Sequence, residues 1–87
     1  MTQPRRKAYK IVNVLKMKLG RYIHFKGAEY EVVDVVIHSE TEEEYVLYYR
    51  VETPTKKWIR PLLMFQEWVE HNGSMVQRFK YIGNEKN

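Results

Sequence analysis

The fold of this chain is decided by residues 30–51, which read YEVVDVVIHSETEEEYVLYYRV. Two runs of β-branched and aromatic residues flank the polar residues 39–43, a pattern typical of two strands joined in a hairpin. Pairing the runs across this loop predicts one apolar face: Val33 opposite Tyr49, Val35 opposite Leu47 and Ile37 opposite Tyr45. The other face then carries most of the polar groups: Val32 with Arg50, Asp34 with Tyr48 and His38 with Glu44. We therefore expect the first face to look into the core and the second to be hydrated.

The segments on either side of this hairpin show the same β pattern. Residues 22–25 precede a Lys-Gly turn, and a short strand around residues 58–60 follows the turn at Pro54. Pro61 then begins the apolar run LLMF at 62–65. This run is too short for a standard helix, but it is long enough for one helical turn that plugs the end of a barrel.

The Asn-Gly sequence at residues 72–73 predicts a tight turn. Both residues tolerate the positive φ angles of a type I′ turn, which joins two antiparallel strands directly. Such a turn places Val69 opposite Val76. It also places Glu67 opposite Arg78. With this hairpin included, we predict a mainly β domain whose five to six strands close into a small barrel, because closure of a small sheet removes its exposed edges.

Composition limits the kind of protein this is. The chain has 87 residues, room for one hydrophobic core, and no cysteine for a disulfide or a thiolate metal site. No stretch approaches the roughly 18 apolar residues of a membrane helix, and the start lacks the apolar core of a signal peptide. We therefore predict a cytoplasmic location, a basic N-terminal extension (1–18), a barrel domain (19–83) and a disordered tail (84–87).

The positive charge is concentrated at the N-terminus. The formal net charge is +4, yet residues 1–18 contain six Lys or Arg and no acid, whereas residues 19–87 contain nine Lys or Arg against eleven Asp or Glu. The apolar positions of residues 8–19 fit a helix, which we favour, or a strand. Because phosphate is attracted to the extension and repelled overall by the rest, a nucleic-acid interface would lie on the extension. Its candidate residues are Arg5, Arg6, Lys7 and Lys10.

Four blocks of residues, taken in order, resemble a known family. They are Tyr22, His24, Lys26-Gly27 and Tyr30; then HSET at 38–41 with Glu43; then WIRP at 58–61 with Met64-Phe65; and finally Arg78-Phe79. Over residues 19–82 the chain is similar to the bacterial family called "domain of unknown function 1653". The resemblance implies an SH3-like barrel and brings no activity with it. Gln77 stands where the family tends to have Pro, and residues 1–16 precede the usual start of the family.

The strand at residues 58–60 carries the best candidates for ligand binding. Trp58 and Arg60 share a face by the two-residue alternation, and Pro61 ends the strand, so we expect Arg60 at an open end of the sheet. A guanidinium beside an aromatic face suits a planar or anionic ligand. Simpler interpretations stay open: Trp58 belongs to the core or its rim, Arg60 pairs with an acid of the same protein, and Arg78, a second candidate, pairs with Glu67.

The loop at residues 38–43 offers a different chemistry. It contains residue types that bind metals, at close spacing: His38, Glu40 and Glu43. His24 would have to complete such a site from another strand. A tight turn explains the same residues without a metal, because the hydroxyl of Thr41 can hydrogen-bond to nearby backbone groups. Catalysis has little support, since the sequence lacks a Cys nucleophile, a phosphate-binding glycine loop and a Ser-His-acid pattern.

These observations predict a small binding or ligand-sensing module, without a cofactor, that recognises an anionic group of a small ligand or of a protein partner. Its candidate ligand-binding residues are His24, Lys26, His38, Glu40, Thr41, Glu43, Trp58, Arg60 and Arg78. One alternative is nucleic-acid binding through the extension. A second alternative is a metal-dependent site on the loop at 39–43.

Overall fold

The structure is a computed structural model that describes residues 17–83 as seven β-strands and one helical turn. The elements in chain order are β1 (Gly20–His24), β2 (Glu29–Ile37), β3 (Glu44–Arg50), β4 (Lys57–Pro61), α1 (Leu62–Phe65), β5 (Trp68–His71), β6 (Ser74–Gln77) and β7 (Phe79–Gly83). Five strands form an antiparallel sheet in the order β4-β3-β2-β1-β7, and β5 pairs with β6 in a separate hairpin. The predicted mainly β, barrel-like fold is confirmed, with seven described strands where five to six were predicted.

Two further predictions concern the ends of the chain and its relation to membranes. The choice between helix and strand for the N-terminal extension, and the predicted disordered tail, fall outside the described residues except at positions 17–19. Those three positions are not part of a helix or strand. Within residues 17–83, no helix has the length and apolar character needed to cross a membrane.

The hairpin of β2 and β3 forms as predicted, but its predicted register is wrong. Val35 pairs with Val46 instead of Leu47. The connecting loop is one residue longer than predicted because it includes His38, whose backbone amide donates a hydrogen bond to the carbonyl of Glu43 at 2.8 Å. A displacement of one residue exchanges the two faces of a strand, so the error changes which side chains are buried.

The core-facing side of this hairpin is therefore mostly the side predicted to be hydrated. Val32, Val46 and Tyr48 are buried, whereas Val33 and Ile37 are 40% and 53% exposed. A β-bulge at Val33 shifts the register once more and leaves this residue outside the ladder. Tyr48, which was expected to be hydrated, is thus a core residue, and the candidate site depends on it.

Aromatic rings fill the core between the sheet and α1. Phe65 stacks on Phe79 with ring centroids 4.1 Å apart, and it meets Tyr22 and Tyr48 edge-on at 5.3 and 5.4 Å. Pairs of this kind contribute about 0.5–1.5 kcal/mol beyond their buried area. Burial raises the pKa of Tyr22 to about 12, and its hydroxyl donates a hydrogen bond to the backbone carbonyl of Lys18 at 2.7 Å. The remaining core residues are Met17, Val32, Val46 and Leu62.

The helical turn α1 forms where the apolar run after Pro61 predicted it. Leu62 and Phe65 lie three residues apart, on one face of the turn, and both are buried. The backbone amide of Gln66 donates to the carbonyl of Leu62 at 3.1 Å and closes the turn. The turn therefore covers one part of the sheet with two apolar side chains.

The last hairpin has the predicted turn and register. The residues at 72–73 have φ angles of 54° and 81°, both positive as a type I′ turn requires. Val69 pairs with Val76. The backbone amide of Arg78 donates to the carbonyl of Glu67 at 2.9 Å, so these two residues also face each other as predicted.

Candidate functional site

The strongest candidate site lies where the core-facing side of the sheet reaches its edge. Strand β4 is an edge strand, and its pairing with β3 places Trp58 beside Tyr48 and Arg60 beside Val46. Tyr48 and Val46 are core residues, so Trp58 and Arg60 lie on the core side of the sheet. Because no strand of residues 17–83 covers this edge, Trp58 remains 44% exposed. The two side chains therefore share a face, as their spacing predicted, and Trp58 lies at the rim of the core.

Trp58 and Arg60 line an open cavity of about 470 Å³, which we call the Arg60 cavity. Its walls combine aromatic and charged side chains: Tyr30, Tyr48, Arg50, Glu52, Thr53, Lys56, Trp58 and Arg60. Three of these residues are cations and one is an acid, so the cavity has a positive balance. Its volume falls within the range of about 300–1,000 Å³ that is usual for small-molecule sites.

The guanidinium of Arg60 is held in place but is not neutralised. Its Nε donates a hydrogen bond to the hydroxyl of Tyr48 at 3.2 Å, and its central carbon lies 5.8 Å from the centre of the Phe79 ring. No carboxylate of residues 17–83 forms an ion pair with it. The interpretation that Arg60 serves an internal ion pair is therefore not supported within the described chain, and its terminal amino groups are available to a ligand.

The other two cations of the cavity differ in how they are balanced. The Nε of Arg50 lies 3.6 Å from a carboxylate oxygen of Glu52, in an exposed ion pair. The Nζ of Lys56 lies 5.0 Å from the centre of the Trp58 ring, without a carboxylate partner among the described residues. Lys56 and Arg60 are thus the two unbalanced charges of the cavity.

His24 lies beside this cluster of charges. Burial lowers the pKa of His24, and the positive charges of Arg78, Lys26 and Arg60 lower it further. The Nδ1 atom accepts a hydrogen bond from the backbone amide of Lys26 at 3.1 Å, so the neutral ring carries its proton on Nε2. The ring meets Phe79 edge-on, with centroids 4.9 Å apart. His24 and Arg60 thus both contact the Phe79 ring, and the charges of Lys26 and Arg78 lie close enough to His24 to lower its pKa.

Arg78 has an internal partner. Its Nη2 lies 3.1 Å from a carboxylate oxygen of Glu67, which supports the ion-pair interpretation of this residue. The Nε of Arg78 is buried and has no hydrogen-bond partner within residues 17–83. Arg78 therefore adds positive charge near His24 but does not line the Arg60 cavity.

The loop at residues 38–43 does not contribute to the Arg60 cavity. The Nδ1 of His38 accepts hydrogen bonds from the backbone amides of Glu40 and Thr41 at 3.1 and 3.2 Å, and the Thr41 hydroxyl accepts one from the Glu43 amide at 3.1 Å. The predicted pairing of His38 with Glu44 across the strands is wrong, because Glu44 pairs with Ile37. Within residues 17–83 no group of three or more His, Asp or Glu is placed to hold a metal ion.

Comparison with known proteins identifies the family. The profile of the family described as "Protein of unknown function (DUF1653)" matches residues 20–81. The chain belongs to this family. A crystal structure of a DUF1653 protein from Bordetella bronchiseptica is similar to it, with a TM-score of 0.74 and 28% sequence identity over 82% of this chain and 94% of that one. No curated protein matches the chain. The resemblance seen in the four sequence blocks is thus confirmed.

Sequence reasoning missed several walls of the cavity in this DUF1653 chain. Tyr30, Tyr48, Arg50 and Lys56 line it without having been predicted as site residues. The first three lie on β2 and β3, and the correct register would have placed them on the same face as Trp58. Lys56 precedes β4 by one residue, and its sequence context gives no signal of this role. The nucleic-acid candidates Arg5, Arg6, Lys7 and Lys10 lie outside the described residues, so that alternative stays a prediction.

Proposed function

We propose that this DUF1653 chain is a binding module that recognises an anionic group of a small ligand in the Arg60 cavity. The observation that carries the proposal is the guanidinium of Arg60, which is positioned by the Tyr48 hydroxyl and has no carboxylate partner in residues 17–83. A partly exposed guanidinium without a counter-ion can offer its N–H donors to an anion from outside the protein.

The chemistry of the cavity favours an anion over a neutral ligand. Arg60 keeps its charge at any physiological pH and offers a fork of N–H donors that matches a carboxylate or a phosphate. Its Nε is already used by Tyr48, which leaves the terminal amino groups to bind two oxygen atoms of one ligand. Lys56 supplies a second positive charge at the same cavity. Aromatic walls lower the local dielectric and strengthen both interactions.

The proposal is tested by titrating inorganic phosphate into the isotopically labelled chain and following backbone and arginine side-chain signals by NMR. Arg60→Gln removes the charge, and Arg60→Lys keeps the charge but removes the fork. Lys56→Gln and Lys57→Gln form a matched pair, because they delete one charge at adjacent positions. Lys57 is the control, because it does not line the cavity and its amino group donates a hydrogen bond to the carbonyl of Pro54 at 2.8 Å.

We expect phosphate to shift signals from the walls of the cavity. The variant Arg60→Gln loses charge-assisted hydrogen bonds to phosphate, which contribute about 1.5–3 kcal/mol, so it should bind phosphate roughly ten- to hundredfold more weakly. Lys56→Gln should weaken it less, and Lys57→Gln should leave it unchanged. If the two lysine variants behave alike, or if Arg60→Gln binds as the parent does, phosphate is attracted only by general surface charge and the proposal is wrong.

A further inference from the structure

We infer that the ligand of the Arg60 cavity is a small aromatic anion with the chemistry of a mononucleotide, whose ring stacks on Trp58 while its phosphate is bound by Arg60. The inference rests on the proposed function and adds an aromatic requirement to it. It follows from three features of the cavity: the exposure of Trp58, the spacing of the two side chains, and the limited positive charge around them.

Trp58 offers a partly exposed aromatic surface at the cavity. It lies on the core side of β4 but is 44% exposed, although burying a tryptophan would add much apolar area to a core this small. The Nζ of Lys56 lies 5.0 Å from the centre of its ring, so the indole already attracts a positive group. An exposed indole flanked by cations can stack a nucleobase, whatever the base, because every base has a π-face.

The spacing of Trp58 and Arg60 along the backbone of β4 favours an elongated ligand. Residues two apart on one strand face are separated by roughly 6.6 Å along the strand. A ligand that meets both side chains therefore carries its anionic group several ångströms from its ring. A nucleobase joined to a phosphate by a ribose has this arrangement, whereas a carboxylate attached directly to an aromatic ring brings the two groups closer together.

The charge of the surroundings favours a small ligand over a nucleic-acid strand. Residues 19–87 contain nine Lys or Arg against eleven Asp or Glu, so they repel a long polyanion overall. Glu52 also borders the cavity and places a negative charge there. The two unbalanced cations, Lys56 and Arg60, match the charge of a single phosphate monoester.

The two tryptophans of the chain allow a controlled binding experiment. Trp68 is 56% exposed and lines a different groove, together with His71 and Met75. In Trp68→Phe the tryptophan fluorescence of the protein comes from Trp58 alone. This variant is titrated with AMP, adenosine, ribose 5-phosphate and an adenine oligonucleotide. Calorimetry with the parent, Trp58→Ala and Trp68→Ala then measures the same affinities without a fluorescent reporter.

We expect AMP to quench Trp58 and to bind about five- to hundredfold more tightly than ribose 5-phosphate, the range that stacking of one base provides. Trp58→Ala should abolish this difference, and Trp68→Ala should preserve it. Equal affinity of the parent for AMP and ribose 5-phosphate would overturn the aromatic requirement and leave the anion site intact. The proposed function would be overturned as well if adenosine bound as tightly as AMP, or if neither AMP nor ribose 5-phosphate bound.

The oligonucleotide measures the limit on ligand size. Oligonucleotide binding that is far tighter than AMP binding, depends steeply on salt and is lost in Arg60→Gln would show that the cavity belongs to a longer interface and would overturn the inference. The comparison of AMP with ribose 5-phosphate is made on the parent chain, so it remains decisive even if Trp58→Ala fails to fold.

Discussion

Replacing Tyr48 by Phe removes one oxygen atom and tests how the core positions the site. The Tyr48 ring is buried, and its centroid lies 5.6, 5.4 and 5.8 Å from the rings of Tyr30, Phe65 and Phe79. A phenylalanine ring keeps all three contacts. Among residues 17–83, only the hydrogen bond from the Nε of Arg60 to the Tyr48 hydroxyl, at 3.2 Å, is lost. We therefore expect the variant to fold normally while the guanidinium of Arg60 loses its fixed orientation.

The size of both effects follows from this geometry. Arg60 is partly exposed, so water can replace the lost acceptor, and the stability cost should be about 1 kcal/mol. For a domain of this length that corresponds to a fall in Tm of roughly 4–8 °C. Binding must then order a mobile arginine, which costs about 0.5–1.5 kcal/mol and weakens phosphate binding roughly two- to tenfold.

Thermal unfolding followed by circular dichroism and phosphate titration followed by NMR measure the two effects separately. Tyr45→Phe is the matched control, because the Tyr45 hydroxyl lies 3.5 Å from a carboxylate oxygen of Glu43 and the residue does not line the Arg60 cavity. If Tyr48→Phe binds phosphate as tightly as the parent while Arg60→Gln does not, the hydroxyl does not position Arg60. A loss of several kcal/mol of stability would show that the hydroxyl has a larger role in the core.

Three further outcomes follow from the core and the charges. A chain that starts at Met17 should unfold cooperatively in urea, because Met17 already belongs to the core; aggregation of this chain would show that the extension completes the core. Phe65→Ala should cost about 3–5 kcal/mol in denaturant, whereas Ile59→Ala at an exposed position should cost less than about 1. The pKa of His24 is lowered in the folded state, so the stability of the fold should decrease as pH falls below the ordinary histidine pKa near 6.5. The variant His24→Gln should lose less stability over this pH range. A pH profile of stability that is the same in both proteins would contradict the lowered pKa of His24.

Elements marked by local signals were predictable from the sequence. The turn at residues 72–73 requires positive φ angles, which Asn and Gly adopt readily, so both the turn and its register followed from two residues. The helical turn α1 followed from a proline before four apolar residues. The common face of Trp58 and Arg60 followed from strand alternation, which depends only on their spacing.

The register of the central hairpin was not predictable in the same way. Residues 32–37 and 45–49 are apolar or aromatic on both faces except at Asp34, so hydrophobic alternation does not decide which face is buried. The register is determined by the loop, whose length is set by backbone hydrogen bonds around His38, and by the bulge at Val33. Neither feature has a clear signature in residue type, and this is why Tyr48 was assigned to the wrong face.

The core and the Arg60 cavity share aromatic residues, so binding and stability are coupled. Tyr48 packs on Phe65 in the core and accepts the hydrogen bond of Arg60 in the cavity, while Phe79 stacks on Phe65 beneath the same guanidinium. An anion that binds Arg60 therefore binds only the folded chain. At a hundred times its Kd such a ligand stabilises the fold by about 2.7 kcal/mol, a large share of what a core of this size supplies. A series of anions compared by their effect on Tm thus ranks the chemistry of the cavity, and the ranking should disappear in Arg60→Gln if the stabilisation comes from this site.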